Sequence, residues 1–144
     1  MTDIFRYWTP EFAEYYVAAL NDDAGFQKAA RKFEDVITLV CLDTPDGKDV
    51  CQTLHIDRGR VRQDLEVEDA PGAMRARPFD KKVTMARTTT PYAIWCRLDR
   101  GQMNVAQALV SPDYKVEGPK LKIARSLGVL NALSAVASKL PKSY

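Results

Sequence analysis

The stretch Val36-Ile37-Thr38-Leu39-Val40-Cys41-Leu42-Asp43-Thr44-Pro45-Asp46-Gly47-Lys48-Asp49-Val50-Cys51-Gln52-Thr53-Leu54-His55-Ile56 decides the fold. Val36 to Leu42 is an unbroken β-branched and aliphatic run. Thr44-Pro45-Asp46-Gly47 is a turn cluster of the kind that joins antiparallel strands, and Val50 to Ile56 supplies the hairpin partner. A turn centred on Asp46 predicts that Leu42, Val40 and Val36 share a face with Val50, Leu54 and Ile56. Ile37, Leu39 and Cys41 then point to the other side, and Cys41 lies opposite Cys51. The first strand is apolar on both faces, which predicts a central strand or one covered on both sides, a second subunit being one such cover.

Upstream of the hairpin the period is helical. Thr9-Pro10-Glu11 is a helix start, because Thr can cap, Pro suits the first turn and Glu favours the positive end of the dipole. Phe12, Tyr16 and Leu20 then recur on one face, predicting a helix over about 10–22. Asp23 caps a second, shorter helix that places Phe26, Ala29, Ala30 and Phe33 together.

Downstream, Asp57-Arg58-Gly59 turns the chain into a third strand, where Val61, Gln63, Leu65 and Val67 alternate with Arg62, Asp64, Glu66 and Glu68. Residues 69–80, with Pro71, Gly72 and Pro78, carry no period and read as an irregular connection, followed by a fourth strand over Lys82 to Thr89. Tyr92, Trp95 and Leu98 take helical spacing before Gly101, and Asn104 caps a short helix through Leu109. Tyr114-Lys115-Val116-Glu117 is a short extended piece. Gly118-Pro119 opens the most apolar region, a helical stripe through Leu121, Ala124, Leu127, Leu130, Leu133, Val136, Ala137 and Leu140 with a break expected near Gly128.

The chain of 144 residues, 46% hydrophobic and 28% charged, predicts a single globular domain over 1–144. Its net charge of +2 argues against nucleic acid as a partner. The signs are unevenly placed: residues 1–25 carry five acids against Arg6, whereas 115–144 carry six bases against Glu117. That late basic cluster suggests a transient contact with an anionic membrane surface. Three cysteines form no CxxC pair, which indicates neither a disulfide framework nor a zinc site and suits a reducing cytoplasm. No run approaches the length of a membrane span, and Met1 to Pro10 lacks the pattern of a signal peptide. Ser138-Lys139-Leu140 reads like a peroxisomal address, but Pro141-Lys142-Ser143-Tyr144 follows it.

Chemical machinery is sparse. His55 is the sole histidine, which removes two-histidine metal sites. Cys51 and His55 share a strand face but stand some 13 Å apart. Asp64, Glu66 and Glu68 lie on one face among arginines, and Arg58, Arg60 and Arg62 alternate as a solvated edge. No nucleophile elbow, P-loop or dinucleotide glycine motif is present. No catalytic residue, metal or cofactor is therefore expected. What the chain does offer is the inventory of an apolar ligand site: Phe12, Tyr16, Leu20, Phe33, Trp95, Met103, Leu109, Leu121, Leu127, Leu130, Leu133 and Val136. Composition alone leaves open whether these line a cavity or fill a core.

The order of elements resembles that of the sterol carrier protein 2 family. So do particular residues: Trp95-Cys96-Arg97-Leu98-Asp99-Arg100-Gly101-Gln102-Met103-Asn104 is similar to that family's helix, glycine turn and following short helix. Tyr114-Lys115-Val116-Glu117-Gly118-Pro119 resembles its short strand ending in Gly, entering the last helices through Lys120-Leu121-Lys122-Ile123-Ala124. The resemblance spans about 10–140 and is most specific over 95–125. It implies an α+β fold, with a mainly antiparallel sheet of about five strands covered by helices. Between them a hydrophobic tunnel would take a fatty acid, acyl-CoA, sterol or similar lipid, without catalysis. The Pro- and Arg-rich 69–80 connection and the chain's last residues depart from the family and suit a bacterial-type cytoplasmic member.

The function these observations predict is binding and intracellular transfer of a lipid. The C-terminal helix, with Lys139 and Lys142 near its end, is expected to act as a lid that meets anionic membrane. A homodimeric accessory module of lipid metabolism would instead use the doubly apolar first strand. An enzyme would need a buried carboxylate, Cys41, Cys51 or His55 facing the cavity.

Overall fold

Thr9, Asp23 and Asn104 each cap the helix that the sequence assigns to them. The computed structural model describes residues 4–144; Met1, Thr2 and Asp3, one of the N-terminal acids, lie outside the described residues. A short strand β1 (Phe5–Arg6) precedes α1 (Pro10–Asp22), whose N-terminus is held by the Thr9 hydroxyl accepting from Phe12 N–H at 3.2 Å. In α2 (Ala24–Ala29) the Asp23 carboxylate accepts from Phe26 N–H at 2.8 Å. The strands β2 (Glu34–Leu42), β3 (Lys48–Asp57) and β4 (Arg60–Asp69) form a meander. Then come β5 (Ala86–Pro91), α3 (Tyr92–Asp99), α4 (Val105–Leu109) and β6 (Lys115–Glu117). The chain closes with α5 (Lys120–Arg125), α6 (Leu127–Lys139) and β7 (Lys142–Ser143).

The main sheet has five strands in the order β4-β3-β2-β5-β6, antiparallel except for the parallel pair β2 and β5. β2 is thus central, as its two apolar faces require. Helices α1, α2, α3 and α6 cover one face, burying Phe12, Leu20, Phe26, Ile37, Leu54, Leu133 and Val136 in one core.

The hairpin register differs from the expected one by a single residue. The turn is centred on Asp46, with Thr44 N–H bonded to the Lys48 carbonyl at 2.9 Å. Asp43, however, sits in the left-handed region at φ 55° and inserts one residue between turn and ladder, which pairs Cys41 with Val50 and Val40 with Cys51. A slip of one residue exchanges the two faces. Ile37, Leu39 and Cys41 therefore join Val50, Leu54 and Ile56 under the helices, while Val36, Val40 and Cys51 face outward. Cys41 and Cys51 lie on opposite sides of the sheet, and all three thiols are free.

The outer face of β2 is covered by the chain itself. The connection after β4 contains a single 3-10 turn, Ala73–Ala76, and lays Met74 over Val40, Cys51 and Leu42. It is tied down by Asp49, whose side chain is fully buried. Its carboxylate accepts from Asp43 N–H at 3.0 Å, Gly72 N–H at 2.8 Å and the Arg75 guanidinium at 2.6 and 2.8 Å. Burial alone would raise this carboxyl's pKa; the Arg75 bonds and the two N–H donors outweigh it and hold the group below the usual range. This is the extra cover for which a second subunit was one expectation.

Two boundaries also shift. β5 begins at Ala86 rather than Lys82, because Val83 and Thr84 N–H both turn back to the Asp80 carbonyl. The last helices break at Ser126, whose hydroxyl donates to the Lys122 carbonyl at 2.8 Å, leaving Gly128 inside α6. Gly118 is required where it stands: its φ is 142°, and a Cβ there would meet the Met85 carbonyl oxygen at 2.5 Å.

Candidate functional site

The predicted lining residues divide into a buried group and an exposed one. Phe12, Tyr16 and Leu20 from α1 meet Leu133 and Val136 from α6 in the core, and the Tyr16 hydroxyl donates to the Leu133 carbonyl at 2.7 Å. Phe33, Trp95 and Leu130 pack against this cluster half-buried, the Trp95 indole donating to the Val40 carbonyl at 3.1 Å. Met103 is half-buried on the link between α3 and α4. Leu109, Leu121 and Leu127 are 57%, 75% and 52% exposed, joined at the surface by Val105 and Val110. Leu109 and Leu121 sit on short helices that hardly engage the body of the protein, and Leu127 opens α6. α4 buries Ala108 alone, and α5 buries no residue. A helix as short as α5 gains little from propensity by itself, so its order comes from what it packs on.

The charge around this apolar surface is basic. Lys120 and Arg125 are exposed on α5, and Lys122 pairs with Asp35 at 2.7 Å. Lys139 and Lys142 behave otherwise than expected. Lys139 bonds to Asp23. Lys142 is internal, its side chain only 2% exposed, with Nζ 2.7 Å from Asp99 Oδ2 and 2.5 Å from the Ala137 carbonyl. Its ammonium lies over the rings of Tyr7 and Phe12 at 5.1 and 5.5 Å. Around it β7 pairs in parallel with β1, and the Tyr144 hydroxyl also donates to Asp99. The C-terminus is a clasp, and these two lysines do not form a free basic tip.

A cavity of about 310 Å³ lies on the opposite, outward face of the sheet, under the connection that carries Met74. Sequence reasoning missed it because an aperiodic connection gives no sign of what it covers; the one usable signal was the second apolar face of β2. Val40, Cys51 and Met74 line one part of it. The charged part is Arg77, which forks onto Glu66 at 2.9 and 2.8 Å, and Arg87, bonded to Glu117 at 2.8 and 3.0 Å. The Arg77 bonds hold the Glu66 carboxyl below its ordinary pKa, the reverse of what a general acid needs. Burial pushes the Cys51 thiol up, away from the thiolate a nucleophile needs. His55 bonds to Asp64 at 2.7 Å on the same outward face. Arg58 pairs with Glu34 at 2.5 Å beside an open cleft shared with Arg60 and Arg62. Among the described residues no cluster of His, Cys, Asp or Glu could hold a metal ion, and no helix is long and apolar enough to cross a membrane.

No family model matches the sequence, and no curated protein matches it. Solved structures do. A crystal structure of sterol carrier protein 2 superposes with a TM-score of 0.72 at 19% identity, covering 94% of this chain and 99% of the other. A conserved hypothetical protein of Thermus thermophilus, whose description points to a sterol carrier protein, gives 0.70 at 18% identity, covering 99% and 94%. The fold is that of sterol carrier protein 2. A variant of a sec-alkyl sulfatase also matches, with a TM-score of 0.50 at 16% identity over 84% of this chain and 16% of that one. The sterol carrier fold thus occurs both as a whole chain and as a part of an enzyme. In this chain Phe12, Tyr16, Leu20, Leu133 and Val136 lie buried between helices and sheet, and the charged cavity lies behind the sheet.

Proposed function

We propose that this protein binds a hydrophobic small molecule, a lipid such as a fatty acid, acyl-CoA or sterol, between the helices and the sheet. It carries the lipid without chemical change, in the cytoplasm. The observation that carries the reading is the continuity of apolar surface along the last two helices. The stripe that buries Leu133 and Val136 runs through half-buried Leu130 to exposed Leu127 and Leu121. A filled core alone has no use for the outer part of that stripe, whereas a ligand tunnel needs an apolar mouth.

Burial supplies the affinity: each methylene moved out of water contributes ~0.8 kcal/mol, so about ten methylenes offset the cost of association without a charged anchor. Exchange takes place at the mouth, where exposed Leu121 and Leu127 stand beside Lys120 and Arg125 and meet an anionic bilayer. The sterol carrier fold of the whole chain supports lipid as the ligand class.

The test is intact mass under native and denaturing conditions, followed by extraction and identification of what is released. A stoichiometric lipid that leaves only on unfolding is the expected result. Absence of any lipid, together with no uptake of a fluorescent fatty acid or sterol analogue, refutes the reading.

A further inference from the structure

Among the described residues three buried polar atoms have no hydrogen-bond partner: Trp8 Nε1, the Thr90 hydroxyl and the Tyr92 hydroxyl. They belong to one neighbourhood. Thr90 is the next-to-last residue of β5, and Tyr92 opens α3. The Tyr92 ring lies 6.2 Å from that of Tyr7, and the indole of the next residue, Trp8, lies 5.1 Å from that of Trp95 on α3. The Tyr92 hydroxyl has the Cys96 thiol beside it, a weak partner that leaves most of its bonding capacity unused. Thr90 is fully buried and pairs in the ladder with Cys41, which puts its side chain on the helix-covered face. All three therefore border the apolar interior where β5 hands over to α3.

The rest of that interior satisfies its polar groups. The Trp95 indole reaches the Val40 carbonyl, and the Tyr16 hydroxyl reaches the Leu133 carbonyl. Nearly all buried polar groups in folded proteins are paired, so orphans gathered at one place need a cause. A second, independent feature marks the same place. Trp8 is held at φ 61°, a left-handed conformation that a bulky residue adopts only under constraint. Strain and unpaired polar groups together are the signature of a site shaped for something other than the chain's own stability.

The chemistry selects the ligand group. An indole N–H only donates, whereas the two hydroxyls donate and accept. The partner must therefore offer an oxygen that accepts from Trp8 and can also donate or accept at Thr90 and Tyr92. A carboxylate is disfavoured, because the one buried cation nearby, Lys142, is bonded to Asp99 at 2.7 Å, while Arg6 pairs with Asp46 and Arg100 lies over the Tyr144 ring, both at the surface. An anion buried there would lack a counter-charge. We propose that Trp8, Thr90 and Tyr92 form a head site for the uncharged oxygen of an amphiphile, a hydroxyl or carbonyl, whose hydrocarbon lies in the interior between α1, α6 and the sheet. This rests on the lipid-binding reading and narrows it to neutral lipids.

The test uses three fluorescent probes with one chain and different heads, pyrenedecanol, pyrenedecanoate and pyrenedecane, titrated into the full chain at pH 8. The alcohol should bind about ten-fold more tightly than the hydrocarbon, the worth of one good hydrogen bond, and more tightly than the carboxylate. The shape-preserving substitutions Thr90→Val and Tyr92→Phe should each bring the ratio of alcohol to hydrocarbon affinity towards one. Because that ratio is internal to each variant, a general loss of structure does not imitate the effect. Equal binding of alcohol and hydrocarbon by the wild type, as when only a resident water pairs the three atoms, overturns the head site and leaves the lipid reading intact. So does a ratio unmoved in both variants, or preference for the carboxylate. No binding of any probe overturns both.

Discussion

Removing the ammonium of Lys142 should destabilise the fold far more than removal of a surface charge. The side chains of Lys142 and Asp99 are each 2% exposed, and the substitution Lys142→Met preserves much of the stem while deleting Nζ. Asp99 then keeps the Tyr144 hydroxyl as a donor but loses its counter-charge, and the Ala137 carbonyl loses a second donor. Breaking one side of a buried pair costs about 3–5 kcal/mol, and the remaining Tyr144 bond places this case at the lower end, near ~3 kcal/mol. For a chain of this length each kcal/mol moves Tm by about 4 °C, so Tm should fall by about 12 °C. The double variant Lys142→Met/Asp99→Leu should recover most of the loss, because an apolar pair of similar volume often replaces a buried ion pair at little cost. Thermal and urea unfolding followed by circular dichroism supply both numbers. A Tm for Lys142→Met within about 2 °C of wild type, or a double variant that merely adds the two single losses, would refute the clasp and return Lys142 to the surface charge first expected.

Other outcomes follow from the same geometry. Asp49→Asn should lower stability by about 2–4 kcal/mol at pH 7, since it weakens the bonds to Arg75 and leaves Asp43 and Gly72 N–H with a poorer acceptor. The folded pKa of Asp49 is depressed, so its contribution is complete above the unfolded value of about 3.9 and is lost as pH falls through the folded value; urea midpoints of the two proteins should converge below about pH 4. Leu133→Ala should cost about 3 kcal/mol, whereas Leu127→Ala, at a side chain 52% exposed, should cost less than about 0.5 kcal/mol while slowing lipid transfer to anionic vesicles; equal destabilisation by both would remove the distinction between core and mouth. The three free thiols, each raised by burial before any neighbouring charge, should react with a disulfide reagent only as fast as the protein unfolds.

What was legible in the sequence is what local chemistry specifies. Thr9, Asp23 and Asn104 announce helices because a capping side chain acts on N–H groups two or three residues away, within the chain's own neighbourhood. The alternation of Val61, Gln63, Leu65 and Val67 survives as the inner face of β4. The hairpin register did not survive, because the extra residue at Asp43 is held by Asp49, a contact with no periodic trace. Nothing local marks Phe5–Arg6 or Lys142–Ser143 as strands either; they exist as strands by pairing with each other from opposite ends of the chain. The basic cluster of residues 115–144 was real as composition and holds at the surface for Lys120 and Arg125, whereas Lys142 is internal and Lys139 and Lys122, though exposed, are paired. For the site, sequence named the apolar residues of α1, α3 and α6 but could not separate Leu133 from Leu127, which share a stripe and differ only in what lies opposite. Trp8, Thr90 and Tyr92 were invisible because the lack of a partner is a property of three dimensions.

These particulars separate the part of the molecule that holds the fold from the part that serves a ligand on the proposed lipid-binding reading. α1, α2 and α6 bury Leu20, Phe26 and Val136 completely or nearly so against the sheet, and Asp49 and Lys142 fasten the two segments that would otherwise peel away, the outward connection and the C-terminus. Between them residues 105–127 contribute little burial, with Val110 85% exposed and α5 burying nothing. A segment with so few buried contacts opens at low free-energy cost, and the global stability resides elsewhere. The clasp at Asp99 therefore does two things at once. It closes the aromatic end, where Trp8 and Tyr92 sit, and it leaves the aliphatic end at Leu121 and Leu127 as the side that can open. On the proposed reading a neutral lipid enters there, tail or head first, and comes to rest with its oxygen at the closed end, which puts access and recognition at opposite ends of one apolar interior.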